Sequence, residues 1–217
     1  RREGERGALL SARPHELDAA ALGAGAERGP AAVEERGEAA PGDDPAEVVV
    51  AVGPAFGSAL RETINGLPHR DVVEAIREGI REGGGAPRVV RVRRVADVAF
   101  IGHDGARLSG SGIAVGLQSK GTALIHRADL QPLDNLELFV MSPLYTLESY
   151  RAIGRNAAGY ARGEKVGPVP TELDNFARAK LIVRTTLLHA RETQAVVPGA
   201  PAVEVELGDR ASSRQIP

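Results

Sequence analysis

The sequence predicts an α/β fold. Three observations carry that prediction. Glu47–Val52 (EVVVAV) is an apolar, β-branched run closed by Gly53-Pro54, the pattern of a strand buried on both faces. Asp71–Glu82 places Val72, Val73, Ile76, Gly79 and Ile80 close to helical spacing and stops at Gly83-Gly84-Gly85. Arg88–Val92 then reads as a second strand, and strand–helix–strand is the signature of a parallel sheet.

The remaining elements follow in order. Val95–Ile101 is apolar apart from Asp97 and reads as a third strand. Ala114–Gln118 and Thr122–His126 are short apolar strands, and Leu136–Phe139 is apolar without a clear period. Thr146–Arg162 repeats Leu147, Tyr150, Ile153, Ala157, Ala158 and Ala161 at helical spacing, and the Gly/Pro-rich Gly163–Pro170 is a loop. Asn175–Ala190 mixes basic and apolar residues and is expected to be one helix; Gln194–Val197 and Ala202–Leu207 are candidate late strands. No internal repeat is visible.

The ends differ from this core. Arg1–Pro45 is dominated by Ala, Gly, Glu, Arg and Pro and carries too little apolar area to offset its ordering entropy. It is expected to be a disordered tail, with a short helix near His15–Leu22 where Pro14 suits a helix start. Residues 46–207 are expected to form the folded domain, and Gly208–Pro217 a loose polar end.

Composition removes several function classes. The 217 residues carry 27 Lys+Arg against 29 Asp+Glu, a net charge of −2, so no excess charge draws the chain to nucleic acid or an anionic membrane. Cysteine is absent, which excludes disulfides, zinc–thiolate centres and thiol nucleophiles. The five His stand singly, outside metal-ligand spacing. Aromatic content of 3% argues against base stacking. No apolar run approaches the roughly 20 residues that cross a bilayer, and a cytoplasmic protein is expected.

Few motifs point to chemistry. Gly110-Ser-Gly-Ile-Ala-Val-Gly116 misses the dinucleotide spacing by one residue and sits in the wrong place, so a tight turn is the simpler reading. Ser119-Lys120-Gly121-Thr122 resembles the end of a phosphate loop without its upstream glycine; Lys120 is either a solvated loop residue or a point charge for one phosphate. Asp97, in an apolar stretch, needs a hydrogen-bond partner, either within the fold or among a ligand's amide groups. Arg178, Lys180 and Arg184 share one expected helix, as a solvated charged face does. Ser109 and Ser111 have no His or acid at readable spacing, so nucleophilic catalysis has no support.

A longer pattern is more specific. Ala51–Gly57 (AVGPAFG), Gly66-Leu-Pro-His69, Ala96–Phe100, Arg107–Ile113 (RLSGSGI) leading into Gln118–Thr122, Asn135–Phe139, Pro143–Glu148 and Ile153–Ala158 follow in order, as does Pro168-Val-Pro170. With these, Val48 to about Glu206 resembles the medium (beta) subunit of adenosylcobalamin-dependent diol/glycerol dehydratase, also called propanediol dehydratase. The resemblance implies a three-layer α/β/α, Rossmann-like domain with a mostly parallel (mixed) sheet. It implies large and small subunit partners, assembled as a dimer of heterotrimers, and a reactivating factor. Substrate and radical chemistry, which turns a 1,2-diol or glycerol into an aldehyde and water, belong to a TIM-barrel large subunit. Adenosylcobalamin, in its base-on form, is shared between the two chains.

On this resemblance the cofactor-binding residues are Asp97 for a corrin amide arm, Lys120 for the nucleotide phosphate, Leu133 and Arg178 beside the cofactor, and Thr185 where the family has Ser. No catalytic or metal-binding residue is assigned. Val140 and Leu181 depart from the family's Pro and aromatic hydroxyl, and Leu181 can offer no side-chain hydrogen bond. The absence of an Asp-x-His-x-x-Gly motif agrees with a base-on cofactor. The competing reading is the small subunit of a dehydratase-reactivating factor, a non-enzymatic assembly partner. In some relatives an amphipathic start directs the enzyme to a bacterial microcompartment, a signal only weakly present here.

Overall fold

The computed structural model describes residues 33–207. The expected helix at 15–22 and the loose end at 208–217 lie outside them. Seven strands form one mixed sheet: β1 (Val33–Glu38), β2 (Glu47–Val52), β3 (Ala86–Arg91), β4 (Ile113–Leu117), β5 (Ala123–Arg127), β6 (Glu137–Phe139) and β7 (Val203–Leu207), in the order β1-β7-β3-β2-β4-β5-β6. Helices α1 (His69–Glu82) and α3 (Leu147–Ala161) cover one face and α2 (Val98–Leu108) the other; α4 (Asn175–Lys180) and α5 (Ile182–Gln194) follow.

The sheet is parallel at its centre and antiparallel outside it. β2 pairs in parallel with β3 and β4, whereas β1–β7, β3–β7, β4–β5 and β5–β6 are antiparallel. The parallel character is therefore confined to three strands: β5 and β6 return through connections without an α-helix, and β7, reached after α3 to α5, enters the sheet antiparallel beside β3. Val48 to Val52 of β2 are fully buried. Val48, Val50 and Val52 face the α1/α3 core, and Val49 and Ala51 the α2 core, by the period-2 alternation of a strand.

Four local expectations are corrected. The strand expected over Val95–Ile101 is the start of α2. The Asp97 side chain accepts the Ala99 N–H at 2.8 Å as an N-cap, and the buried face continues through Ile101, Gly102, Gly105 and Ala106. Glycine there marks close packing, not a stop: a Cβ on Gly105 would lie 2.5 Å from that of Ala51. The helix expected over Asn175–Ala190 is broken into α4 and α5 at Leu181. Gln194–Val197 is the end of α5 and a turn, not a strand.

The fourth correction concerns the expected tail. Its end, Val33–Glu38, is an edge strand antiparallel to β7. Val33 is buried, Arg36 pairs with Glu206, and Arg91 reaches Glu35 at 3.1 Å, so long-range pairing orders a segment whose composition looks disordered. No helix among the described residues is long and apolar enough to cross a membrane.

Candidate functional site

The three parallel strands end on the same side. β3 runs into Asp97, β2 into the Gly53–Pro68 connection, and β4 into the turn 118–122. In open α/β sheets this end, where crossovers diverge to opposite faces, is where ligands bind. Here β2 leads through α1 to β3 on one side, and β3 leads through α2 to β4 on the other.

The turn is held at almost every backbone group. The Gln118 N–H donates to Thr122 O at 2.9 Å, and the Gly121 N–H to Gln118 O at 2.8 Å. The Gln118 side chain donates to Ala96 O at 2.6 Å, tying the turn to the residue before Asp97. Lys120 O accepts the Ile64 N–H at 3.1 Å, and Gly121 O accepts the Tyr150 hydroxyl at 2.7 Å. Gly121 has φ +96°, and a Cβ there would lie 2.5 Å from the Tyr150 hydroxyl oxygen, so both backbone and space require glycine.

Two buried polar side chains grip Ser119. Glu192 accepts the Ser119 N–H at 2.9 Å on one oxygen and the Ala55 N–H at 3.2 Å on the other. His69 accepts the Gly57 N–H at 2.9 Å on Nδ1, which leaves Nε2–H to donate to Ser119 O at 2.7 Å. His69 stacks on Phe56 with ring centroids 3.8 Å apart. Burial lowers the His69 pKa to about 4, keeping the imidazole neutral, and burial pushes the Glu192 carboxyl up.

The turn delivers Lys120 to a cavity of about 390 Å³. Lys120 and Thr122 form one wall, Val140, Ser142 and Pro143 a second, Asn175, Arg178 and Ala179 of α4 a third, and Ile182 and Thr185 of α5 the last. Burial lowers the Lys120 pKa; Glu192 and Asp97 oppose that shift by their negative charge, and Arg178 adds to it as a neighbouring cation. Two cations, hydroxyl-bearing residues and an amide stand beside apolar Val140, Pro143 and Ile182. That lining can meet an anionic group and apolar ligand surface side by side. No group of three His, Asp or Glu suited to a metal ion occurs among the described residues.

The residues singled out in the sequence divide. Lys120, Arg178 and Thr185 line the cavity, and Val140 lines it too. Asp97 lies outside the lining; it is exposed, caps α2 and acts on Lys120 through its charge. Leu133 is 72% exposed in the β5–β6 connection and is not part of the cavity. Leu181 packs instead with Ala55, Leu60, Ile64 and Leu188. Ser109 and Ser111 donate to Glu47 O and brace the turn before β4. Sequence reasoning did not find His69 and Glu192. The one available signal was a carboxylate at position 192, one helical turn after the apolar Leu188.

Two solved structures are similar to part of this chain. One, a glycerol dehydratase reactivase, is 18% identical, with 60% of this chain and 99% of that chain covered and a TM-score of 0.46. The other, a diol dehydratase-reactivating factor complexed with ADP and Mg²⁺, is 17% identical, with 61% and 99% covered and a TM-score of 0.40. The family model described as dehydratase medium subunit matches residues 53–167, from the loop after β2 through the Lys120 turn and α3 into the loop that follows it. That match spans more than half of the 217 residues, and the chain belongs to the dehydratase medium subunit family.

Proposed function

We propose that this chain is the medium subunit of an adenosylcobalamin-dependent diol or glycerol dehydratase, a carbon–oxygen lyase, and that its cavity receives the nucleotide side of the cofactor. One observation carries the reading: in a chain of this family, Lys120 and Arg178 line one part-apolar cavity and the Lys120 turn is rigidly held. When bound, the cofactor supplies the radical chemistry, and the protein supplies binding and orientation. Lys120 and Arg178 meet the phosphate as cations in a partly desolvated setting, where charge-assisted hydrogen bonds are strengthened. Thr185 offers a hydroxyl, and Val140 and Ile182 cover apolar ligand surface. Asp97 has one carboxylate oxygen engaged in its cap, and the other is assigned to a ligand amide.

The catalytic groups belong to a large subunit. Its docking surface on this chain is the α4/α5 segment that lines the cavity, where Phe176, Ile182 and Val183, with Leu173 just before α4, are all more than 60% exposed. The test is co-purification of the tagged chain from its host, followed by adenosylcobalamin loading and removal of the excess. The expected result is a larger and a smaller partner with retained corrin absorbance. Lys120→Ala is expected to lower corrin affinity at least about tenfold, the loss of one charge-assisted contact, with assembly intact. Unchanged affinity would overturn the role of Lys120. An ATPase partner without corrin would instead identify the small subunit of a reactivating factor.

A further inference from the structure

We infer that Glu192 is a positioning residue for Lys120, acting with His69 through the N–H and C=O of Ser119. This rests on the reading of the cavity as the binding site for the cofactor's anionic part. Glu192 is 1% exposed and His69 fully buried, so neither meets a ligand directly. Their partners are nevertheless the two backbone groups of the residue that precedes Lys120.

The two grips are complementary. Glu192 is an acceptor and takes the Ser119 N–H; His69, with Nδ1 occupied by the Gly57 N–H, is left as a donor for Ser119 O. Neither can exchange roles without losing its second contact. Glu192 also holds Ala55, and His69 holds Gly57, so both anchor the β4–β5 turn to the loop that follows β2. The loops at the ends of two adjacent parallel strands thus form one rigid unit, from which Lys120 extends into the cavity.

Burying a carboxylate is costly unless its hydrogen bonds and a counter-charge offset the penalty. The buried Arg91 guanidinium and Lys120 supply positive charge, and the two backbone N–H groups supply hydrogen bonds. A neutral side chain would fill the same space without fixing the charge of Lys120. The groups acting on Lys120 are Glu192, Asp97 and Arg178, on α5, at the start of α2 and on α4.

The chain has only three lysines, Lys120, Lys165 and Lys180, which makes a direct test practical. Reductive methylation with ¹³C-formaldehyde gives each lysine its own NMR resonance, and Lys120→Arg assigns the one of interest. Glu192→Gln in the full chain is expected to shift the titration of Lys120 downward by roughly one pH unit, as loss of a nearby opposite charge requires. Lys165 and Lys180 should not move. An unmoved Lys120 would overturn the proposal. If Glu192→Gln does not fold, Glu192→Asp, which keeps the charge and shortens its reach, is read in the same way, with a smaller downward shift expected and none overturning it.

A second arm uses the assembled complex. Glu192→Gln is expected to weaken corrin retention about tenfold, as Lys120→Ala does, and the double variant to be no weaker than Lys120→Ala alone, because coupled residues are non-additive. Additive losses would overturn the positioning role. If the wild-type complex retains no corrin, the dehydratase reading fails, while the lysine titration still decides the fate of the Glu192 clamp.

Discussion

The α1/α3 face and the α4/α5 face of this molecule are built on opposite plans. On the first, charges close on one another: Glu82 pairs with Arg151 and Arg155, Glu148 with Arg155, and Glu74 with Arg77 and Arg81. Beneath them the helices touch backbone to backbone, with Gly79 against Arg151 O and Gly154 against Ile76 O. On the second, no salt bridge among the described residues involves Arg178, Lys180 or Arg184, α4 buries no residue, and Phe176 is 81% exposed. A six-residue helix is far below the length at which helices hold themselves in water. The first face is finished as a surface. The second has the composition of an interface, with aromatic and apolar residues among unpaired cations.

The largest expected effect breaks the closed face. Gly154→Val would place Cβ about 2.2 Å from Ile76 O, a backbone atom that cannot turn aside. A glycine in a helix is ordinarily replaced at a gain, but here overpacking dominates, and a loss of about 4 kcal/mol or more is expected in urea unfolding. Stability within about 1 kcal/mol of wild type would show that α1 and α3 are not locked by this contact.

The next effect lies where the first residue of α1, His69, holds the Lys120 turn that faces the open side. Its folded pKa of about 4 is below the unfolded value of 6.5. Between those values the unfolded chain binds the extra proton and the folded chain does not, so this contribution is present above pH 6.5 and is lost as pH falls toward 4. The change is worth about 3 kcal/mol across that window. Glu192, whose carboxyl is raised by burial, acts in the opposite direction: its contribution is full below the ordinary carboxylate pKa and is lost as pH rises. Comparison with His69→Gln isolates the histidine. The stability advantage of wild type over the variant should shrink steadily from pH 6.5 to 4, and a constant difference would refute a neutral, buried His69.

A smaller effect on folding, with a large one on assembly, sharpens the contrast. Phe176→Ser removes an exposed ring and should change unfolding free energy by no more than about 0.5 kcal/mol. If the proposed docking of a large subunit on this face is right, the same substitution should weaken that association about tenfold, as loss of an aromatic interface anchor does. Stability lost without any change in association would place Phe176 in the fold rather than at the interface.

The legibility of these regions in the sequence follows the range of the forces that make them. β2, α1 and α3 were readable because burial imposes a period on neighbouring residues, as in Val72, Val73, Ile76 and Ile80. α2 was misread because Val95–Ile101 is too short to separate a strand from a helix start by periodicity, and Asp97 gains its meaning from a cap. β1 was missed because VEERGE is ordered by partners about 170 residues away, such as Glu206. At the site, Lys120 stood out through its Ser-Lys-Gly-Thr setting. The contacts that fix it are backbone groups 50 residues from His69 and 73 from Glu192, which leave no local pattern.

The smallest effect returns to the closed face, at Arg151. Its guanidinium meets Glu82 and Glu78 in solvent, and this pairing lowers the pKa of Glu82 and raises that of Arg151. Both groups are on the surface, so holding two long side chains together offsets most of the Coulomb gain. Arg151→Gln is expected to lower the unfolding midpoint slightly at low ionic strength. At about 1 M salt, where the screening length falls to about 3 Å, the difference should vanish. A salt-independent loss would mean that Arg151 supports the helix pair through the packing of its alkyl stem over the Gly79 contact. The closed face would then be held by apolar cover at its rim as well as by backbone contact at its centre, and its ion pairs would serve solubility more than stability.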